Sequence, residues 1–253
     1  MKKTVVRIVS VLVLLAMTVV ALAGCGSAGS DKYVIYSDKA FPPFEYLDEK
    51  TGEYIGLDMD ILAAVAADQG FEYEVKNEGF DPAMTAVQSG QADGMIAGMT
   101  IKPERQEKFD FSDGYFEDGS ILVAAEGSAI KSEADLAGKT VAAKTGTVSA
   151  DYTESIKDKY GFEITYFEDS PSMYQAVVSG SADACFEDFS VIGWAIKNDG
   201  TKLQTIGEVV NPGYYGFAVK KGTNAELLTK FNAGLANIKA SGKYDELLAK
   251  YGY

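Results

Sequence analysis

Two hydrophobic periodicities alternate along most of this chain. Residues 33–37 are β-branched and aromatic, which predicts a first β-strand. Residues 57–69 place Ile61 and Leu62 within a helical spacing of apolar positions, and Gly70 follows as a helix stop signal. Because strand and helix patterns go on alternating, the chain is predicted to form an α/β fold with mainly parallel sheets.

The longest apolar stretch lies at the N-terminus. A basic segment, residues 1–7, precedes the apolar residues 8–20, and small residues then lead to Cys25. This layout is typical of a secretory signal at residues 1–24. It resembles the lipoprotein version, in which Cys25 is acylated and residues 25–30 form a flexible spacer. The alternative is an uncleaved membrane anchor. Both interpretations place the rest of the chain outside the cytoplasm.

A nine-residue segment at residues 86–94 is echoed by a similar segment at residues 176–184. In each copy a predicted helix ends at Ser-Gly, where glycine suits a left-handed cap. An Ala-Asp pair then leads into a short buried strand, predicted at 95–97 and 185–186. The opening strands of the two halves also match, at residues 34–37 and 140–143. Two echoes in the same order predict two similarly built lobes.

The residues just beyond the predicted strand ends are polar, carry both signs and come from both halves. They are Asp38, residues 98–100, residues 144–147, Glu187 and Asp188. In open α/β sheets, ligands bind beyond the carboxyl ends of the strands. If the lobes face each other, these groups converge on a cleft.

Arg105 and Asp188 would supply this cleft with one positive and one negative group for binding a ligand. A planar guanidinium can hold a carboxylate by two parallel hydrogen bonds, and the Thr100 hydroxyl could add another. Asp188 lies among apolar residues at a strand end and needs a cation, either a ligand ammonium or a lysine of the protein. The alternative for Arg105 is a surface ion pair. Together the two residues predict a site for a free α-amino acid.

Composition narrows the function classes. The chain has 23 Lys and Arg against 37 Asp and Glu, a net charge of −14, and removal of the signal makes it −17. This balance argues against nucleic acid and anionic lipid as partners. Histidine is absent and no phosphate-binding or metal-binding motif occurs, so we expect no metal and no cofactor. With Cys25 lipidated, Cys185 would have no disulfide partner.

The chain resembles the extracytoplasmic solute-binding proteins of polar amino-acid ABC importers over essentially all of its mature length. The matching segments are residues 38–44, 56–60, 96–105, 109–115, 141–147, 182–183 and Asp188. The resemblance implies a periplasmic-binding-protein-like fold, in which two α/β lobes are joined by two hinge strands. Residues 31–117 with 214–253 would form the first lobe and residues 118–213 the second, with the two hinge crossovers at 115–119 and 211–215.

The resemblance also implies a monomer that delivers a free amino acid to a membrane permease. Arg105 and Thr100 would bind the α-carboxylate, with Thr147 and the amides near Gly146 helping. Asp188 and the carbonyl of Gly98 would bind the α-ammonium. The aromatic residues Phe41 and Phe80 would cover the aliphatic part of the ligand.

Side-chain specificity rests on Asp38 and Lys144, which match the glutamine-binding members. An acceptor and a donor together are what a carboxamide requires. Two departures count against glutamine, because Glu187 replaces a histidine and Lys102 a small hydroxyl residue. Glu187 could select a cationic ligand or simply face solvent. We therefore hypothesise glutamine, with a basic amino acid as the alternative. A third possibility is a cyclic carboxylate dehydratase on the same scaffold, using Glu187 as acid or base.

Overall fold

The computed structural model describes residues 32–253. The expected signal at residues 1–24, the lipidated Cys25 and the spacer at 25–30 therefore lie outside the described residues. Within the described part, two five-stranded mixed sheets are each packed with helices, and the predicted two-lobed α/β fold is confirmed. No helix between residues 32 and 253 combines the length and apolar character needed to cross a membrane.

The first sheet is parallel at one edge and antiparallel at the other. Its strands, in spatial order, are β5 (Tyr73–Asn77), β1 (Tyr33–Ser37), β6 (Gly94–Met95), β13 (Ala218–Lys220) and β7 (Phe109–Phe111). Strand β1 runs parallel to β5 and β6, whereas β13 runs antiparallel to β6 and β7. The predicted first strand is thus confirmed.

The second sheet repeats this plan with longer antiparallel strands. Its strands, in spatial order, are β10 (Glu163–Phe167), β9 (Thr140–Lys144), β11 (Ala184–Asp188), β8 (Phe116–Ala125) and β12 (Leu203–Tyr215). Strand β9 is parallel to β10 and β11, and β8 is antiparallel to β11 and β12. The two sheets therefore share the same parallel core order.

A small antiparallel sheet and eight helices complete the described residues. The small sheet contains β2 (Ala40–Phe41), β3 (Glu45–Asp48) and β4 (Glu53–Ile55). The helices are α1 (Leu57–Gln69), α2 (Phe80–Ser89), α3 (Pro103–Gln106), α4 (Val148–Tyr160), α5 (Ser170–Ser179), α6 (Phe189–Asn198), α7 (Ala225–Ala240) and α8 (Lys243–Lys250), with a 3-10 turn at Glu133–Leu136.

Helix α1 has the predicted bounds and ends because Gly70 adopts a left-handed conformation, at φ 66°. Ile61, Leu62 and Val65 are fully buried in the first-lobe core. Burying such a side chain contributes about 1.5–3 kcal/mol relative to leaving it in water. The apolar spacing of this segment therefore determines both its helical form and the face that it buries.

The repeated segment has the same structure in both lobes. Helices α2 and α5 end at Gly90 and Gly180, both left-handed. In the first lobe, the amide of Val34 donates to the Asp93 carboxylate (2.8 Å) and the Asp93 amide donates to the Val34 carbonyl (2.8 Å). The same reciprocal pair joins the second copy, with distances of 2.8 and 2.7 Å; its partners are Thr140 and Asp183. The repeat thus connects the segment after each helix to β1 or β9, the strands that hold the same position in the two sheets.

Two predicted strand limits need correction. The strand expected at 95–97 is Gly94–Met95, because the chain turns soon afterwards at Gly98, whose φ is +54°. The strand expected at 185–186 is the longer Ala184–Asp188, because it pairs along its whole length with β8.

The long strands β8 and β12 run past the second sheet towards the first. Their ends pair Phe116 with Tyr215, and Tyr215 also makes an isolated bridge to Thr100. These paired segments fall where the two hinge strands were expected, at 115–119 and 211–215. The expected lobe limits themselves stay a prediction.

Candidate functional site

A narrow cavity lies where the two sheets face each other, with about 280 Å³ of space between atoms when the space open to solvent is included. It brings together all the predicted site residues except Asp38 and Gly146, which lie directly behind its walls. The lining residues are Phe41, Phe80, Ala97, Gly98, Thr100, Arg105, Lys144, Thr147, Val148, Glu187 and Asp188. A wider groove beside Trp194, with about 900 Å³ of space between atoms when open solvent is included, has no carboxylate side chain on its walls. Chemistry rather than size therefore identifies the candidate site.

Arg105 connects the two walls of the cavity. Pro103 begins the short helix α3, which directs Arg105 inward and leaves it 7% exposed. One guanidinium nitrogen donates to the Thr100 carbonyl (2.8 Å) and the other to the Gly146 carbonyl of the opposite lobe (3.0 Å). The centre of the Phe80 ring lies 5.3 Å from the central carbon of the guanidinium. Burial lowers the pKa of Arg105 to about 10, so it stays charged at neutral pH. The surface ion-pair interpretation is therefore wrong.

Thr147 lies opposite Arg105 and begins helix α4. Its hydroxyl donates to the Lys144 carbonyl (2.8 Å) and accepts from the Ala150 amide (3.1 Å). This is the N-cap arrangement, and it orders the loop that carries Gly146. The start of the 13-residue helix α4 thus faces Arg105 across the cavity, and a helix N-terminus favours negative charge.

Asp188 ends β11 at the other side of the cavity. Its carboxylate accepts from the Ser149 hydroxyl (3.0 Å) and from the Tyr215 hydroxyl (2.5 Å). No lysine or arginine among residues 32–253 forms an ion pair with it, which removes a protein lysine as its partner. Burial raises the pKa of Asp188, although these hydrogen bonds and the charges of Lys144 and Arg105 oppose the rise. The carboxylate is therefore buried without a direct cationic partner.

Asp38 and Lys144 meet between the lobes. The Lys144 ammonium lies 2.5 Å from the Asp38 carboxylate, and the two side chains are 2% and 0% exposed. It also lies 4.4 Å from the centre of the Phe41 ring. Burial alone would lower the pKa of Lys144, but the charges of Asp38 and Glu187 and the hydrogen bond to Asp38 raise it. The pair is thus a charged contact between the two lobes.

Glu187 is buried rather than solvent-facing, so that alternative is wrong. Its carboxylate accepts from the Tyr174 hydroxyl (2.9 Å) and from the Asp188 amide (2.9 Å). Burial and, to a smaller extent, the charge of Asp188 raise the pKa of Glu187 to about 7, against the opposing charge of Lys144. This carboxyl therefore keeps its proton to a higher pH than an exposed glutamate does.

A buried acidic layer supports the first-lobe wall, and the prediction of site residues missed it. The Asp58 carboxylate accepts from the Gly98 amide (2.8 Å) and the Tyr115 hydroxyl (2.7 Å). Burial raises the pKa of Asp58 to about 6, and burial also raises that of neighbouring Glu45 well above its usual range. Gly98 has no room for a side chain, since a Cβ would lie 2.6 Å from the Phe41 ring. Asp58 therefore fixes the backbone turn at Gly98.

The prediction also missed Tyr215, Ser149 and Asp118, which surround Asp188 or its hydrogen-bond partners. The signal for Tyr215 was its place in the expected second crossover at 211–215. Ser149 and Asp118 carried no local signal, because their contacts depend on how β8 and α4 pack against β11.

Comparison with known sequences relates this chain to one family of extracellular binding proteins. The family description "Bacterial extracellular solute-binding proteins, family 3" matches residues 33–253. The chain is 31% identical to a probable histidine-binding protein of Neisseria gonorrhoeae, covering 94% of this chain and 92% of the relative. It is 30% identical to an arginine-binding extracellular protein of Bacillus subtilis (99% and 98% covered) and to a glutamine-binding protein of the same species (97% and 97%).

Solved structures also share the fold. An ancestral arginine-binding protein bound to arginine is 36% identical, covers 88% of this chain and 98% of its own, and has a TM-score of 0.81. The second substrate-binding domain of Lactococcus lactis GlnP, in an open conformation, is 41% identical with 90% and 98% coverage, but its TM-score is 0.61. The protein with the higher identity therefore superposes less well.

Proposed function

This chain belongs to the bacterial extracellular solute-binding proteins of family 3, and we propose that it binds a free α-amino acid and delivers it to an ABC importer. One observation carries this proposal. The buried guanidinium of Arg105 and the buried carboxylate of Asp188 line the same cavity. A carboxylate beside Arg105 and an ammonium beside Asp188 would satisfy both charges.

Ligand binding would act by holding the lobes together. Arg105 already contacts Gly146 across the cavity, and Lys144 contacts Asp38. The higher TM-score to an arginine-bound protein than to a more identical open one supports a closed arrangement here. A ligand that makes more contacts in the closed form shifts the lobes towards it. The closed form would then be the one presented to a membrane permease.

We propose glutamine as the amino acid. Lys144 places a buried cation on the cavity wall, which would repel a cationic ligand side chain, and Asp38 lies directly behind it. A carboxamide could share both groups, accepting from the ammonium and donating to the carboxylate. The named glutamine-binding relative of Bacillus subtilis agrees with this choice.

A basic amino acid is the second candidate, because Glu187 is a buried carboxyl on the same wall. The arginine-binding and histidine-binding relatives favour it. The dehydratase alternative would also use Glu187, as an acid or base. We propose no reaction, because Asp188 supplies an ammonium site that a cyclic carboxylate does not need.

The remaining expectations concern the setting of the protein. We propose that Cys25 carries a lipid that tethers the chain outside the cytoplasm, and that the protein acts as a monomer. Mass spectrometry of the membrane fraction would detect the lipid on Cys25. An unmodified, uncleaved N-terminus would support a membrane anchor instead.

A thermal-shift screen of the ligand-free full chain against the twenty amino acids tests the proposal. Ligand at about 100 times its dissociation constant should add about 2.7 kcal/mol of stability. A shift with glutamine is expected. A shift with arginine or lysine alone would reject glutamine but keep amino-acid binding, and no shift with any amino acid would reject the proposed function.

Two variants test the side-chain assignment. Lys144→Met should weaken glutamine binding at least about tenfold, because it removes the buried donor and leaves Asp38 unpaired. Lys39→Met is the matched control, since this lysine does not line the cavity and is partly exposed. If both variants bind glutamine as the parent does, Lys144 does not recognise the side chain.

A further inference from the structure

Two buried carboxyl groups next to the cavity share one phenol. The Tyr215 hydroxyl lies 2.5 Å from Asp188 and 3.2 Å from Asp118. The three side chains come from different strands, since Asp118 lies on β8, Asp188 ends β11 and Tyr215 ends β12. Asp188 lines the cavity, and Asp118 lies behind Tyr215. The phenol therefore connects a cavity carboxylate to one outside it.

If both carboxyls are ionised, the two contacts of the phenol need two hydrogens and only one is present. A phenol has a single hydrogen to donate, and its oxygen can accept another. The short contact assigns that hydrogen to Asp188. The Tyr215 oxygen then faces Asp118 at hydrogen-bonding distance, which is favourable when Asp118 carries a proton and donates it. A chain from Asp118 through Tyr215 to Asp188 satisfies all three groups.

The remaining contacts of Asp118 do not replace this proton. Its carboxyl accepts from the amides of Gly119 (2.8 Å) and Ser190 (3.2 Å), and no lysine or arginine among the described residues pairs with it. The side chain is 9% exposed. Burial and, to a smaller extent, the charge of Asp188 raise the pKa of Asp118 to about 7, against the hydrogen bonds from Gly119 and Ser190.

Other ionisable groups around Asp118 and its two partners come from several elements. They are Glu187 on β11, Arg105 on α3, Lys144 on β9 and Tyr253 at the C-terminus. The two cations act on Asp188 rather than on Asp118. A positive charge that binds beside Asp188 would therefore affect the Asp118 carboxyl through the Tyr215 phenol, which contacts both acids.

We propose that Asp118 is a positioning residue that holds a proton for Asp188, and that binding of the ligand ammonium releases this proton. The proposal rests on the proposed function, because it takes the ammonium of a free amino acid as the ligand of Asp188. The proton leaves the Asp118 carboxyl for solvent, and no other bond changes. The two carboxylates then share the single phenol hydrogen of Tyr215, and the ligand cation beside Asp188 offsets the negative charge added at Asp118.

The consequence is binding that strengthens as pH rises. With a pKa of about 7 in the free protein and a much lower value in the complex, affinity should rise about tenfold between pH 6 and pH 8. The number of protons released per ligand should fall from about 0.9 at pH 6 to about 0.5 at pH 7 and about 0.1 at pH 8.

Isothermal titration of the purified full chain, kept in a mild non-ionic detergent, tests this. L-Glutamine is the probe, with L-arginine in its place if the screen selects arginine. Titrations at each pH in two buffers of different ionisation enthalpy give the proton release directly. Asp118→Asn keeps the shape of the side chain and can still donate a hydrogen bond to Tyr215. In this variant, proton release on ligand binding should vanish and ligand affinity should become independent of pH. Asp118→Ser serves if the asparagine variant does not fold.

Glu187→Gln is the matched control, because Glu187 is the other cavity-side acid with a raised pKa. It should keep most of the proton release. Enthalpies that do not depend on the buffer in the parent would overturn the proposal, as would release that survives Asp118→Asn and disappears in Glu187→Gln. If no amino acid binds at all, the proposed function fails. Binding without proton release leaves that function intact and rejects the role of Asp118.

Discussion

The two lobes contain the same repeated segment and differ in the residues that follow it. Asp93 and Asp183 make the same reciprocal hydrogen bonds to the backbone of β1 and β9, which hold the same position in the two sheets. A few residues later the copies diverge. The first lobe turns at Gly98, whose amide is held by Asp58, whereas the second lobe continues to the acids Glu187 and Asp188.

This difference separates residues that build the fold from residues that give the site its charge. The repeated aspartates satisfy backbone donors at the start of a strand, a need that both lobes have. The groups after the strand ends face another lobe rather than their own. The first lobe supplies the guanidinium of Arg105 and the second supplies the buried carboxylate of Asp188, so the asymmetry of the copies matches the asymmetry of an amino acid.

Arg105 gives the strongest test of this division. Arg105→Ala should weaken amino-acid binding at least about 100-fold, because the ligand carboxylate would be buried without its charged partner. Asp188→Asn should have a comparable effect at the ammonium end. Titration calorimetry measures both, and circular dichroism checks that the variants fold. Equal affinity in Arg105→Ala and the parent would mean that the carboxylate binds elsewhere.

Arg105→Lys sharpens the same comparison. Lysine keeps the charge but loses the planar pair of donors, so it should recover only part of the affinity. Full recovery would show that charge alone matters at this position.

The buried acids of the two lobes should make the stability of the protein depend on pH in the same direction, with a larger effect from Glu187 than from Asp58. The pKa values of Glu187 and Asp58 are raised to about 7 and about 6, so the folded state binds more protons than the unfolded chain. The stability from these groups is full below about pH 4 and is lost as pH rises towards 7. Glu187→Gln should therefore be more stable than the parent at pH 8, by on the order of 2 kcal/mol, and Asp58→Asn by less.

Urea unfolding at pH 4, 6 and 8 measures this effect, and the variants should match the parent most closely at pH 4. A parent protein whose stability rises between pH 5 and 7, with no flattening in Glu187→Gln, would contradict the raised pKa.

The repeated aspartates should have equal effects on folding. Asp93→Ala and Asp183→Ala each leave a strand amide without its acceptor, which costs about 1–2 kcal/mol. Urea unfolding gives both values under the same conditions. A cost in one lobe alone would mean that the copies share a sequence but not a structural role.

A partly exposed ion pair between the lobes should have the smallest effect. Lys102 pairs with Asp151 across the cleft, and their side chains are 23% and 55% exposed. Exposed pairs contribute about 0.2–1 kcal/mol and weaken with salt. Lys102→Ala should therefore lower ligand affinity no more than about fivefold, and the difference should shrink at 1 M salt. An unchanged difference at high salt would argue against an ion-pair contribution.

Local signals predicted much of the fold. The limits of helix α1 and strand β1 followed from apolar spacing and from Gly70. The predicted strand after the first repeated segment extended too far along the chain. Its true end depends on the turn at Gly98, which is held by Asp58, 40 residues away in the sequence. Most of the candidate site residues were placed around one cavity because they lie at or just beyond the ends of strands, a position that the sequence pattern indicated.

The sequence alone determined the alternation of strands and helices, the repeat and the set of charged residues after each strand, because these depend on neighbours within a few turns. Tertiary structure decided which charges meet. Asp38 and Lys144 are 106 residues apart, and Tyr215 reaches Asp118 across 97 residues. Burial then decided their chemistry, since the cost of removing a given charged group from water depends on the protein that surrounds it in the fold. That is why Glu187 and Asp118 acquire their raised pKa values only in the folded chain.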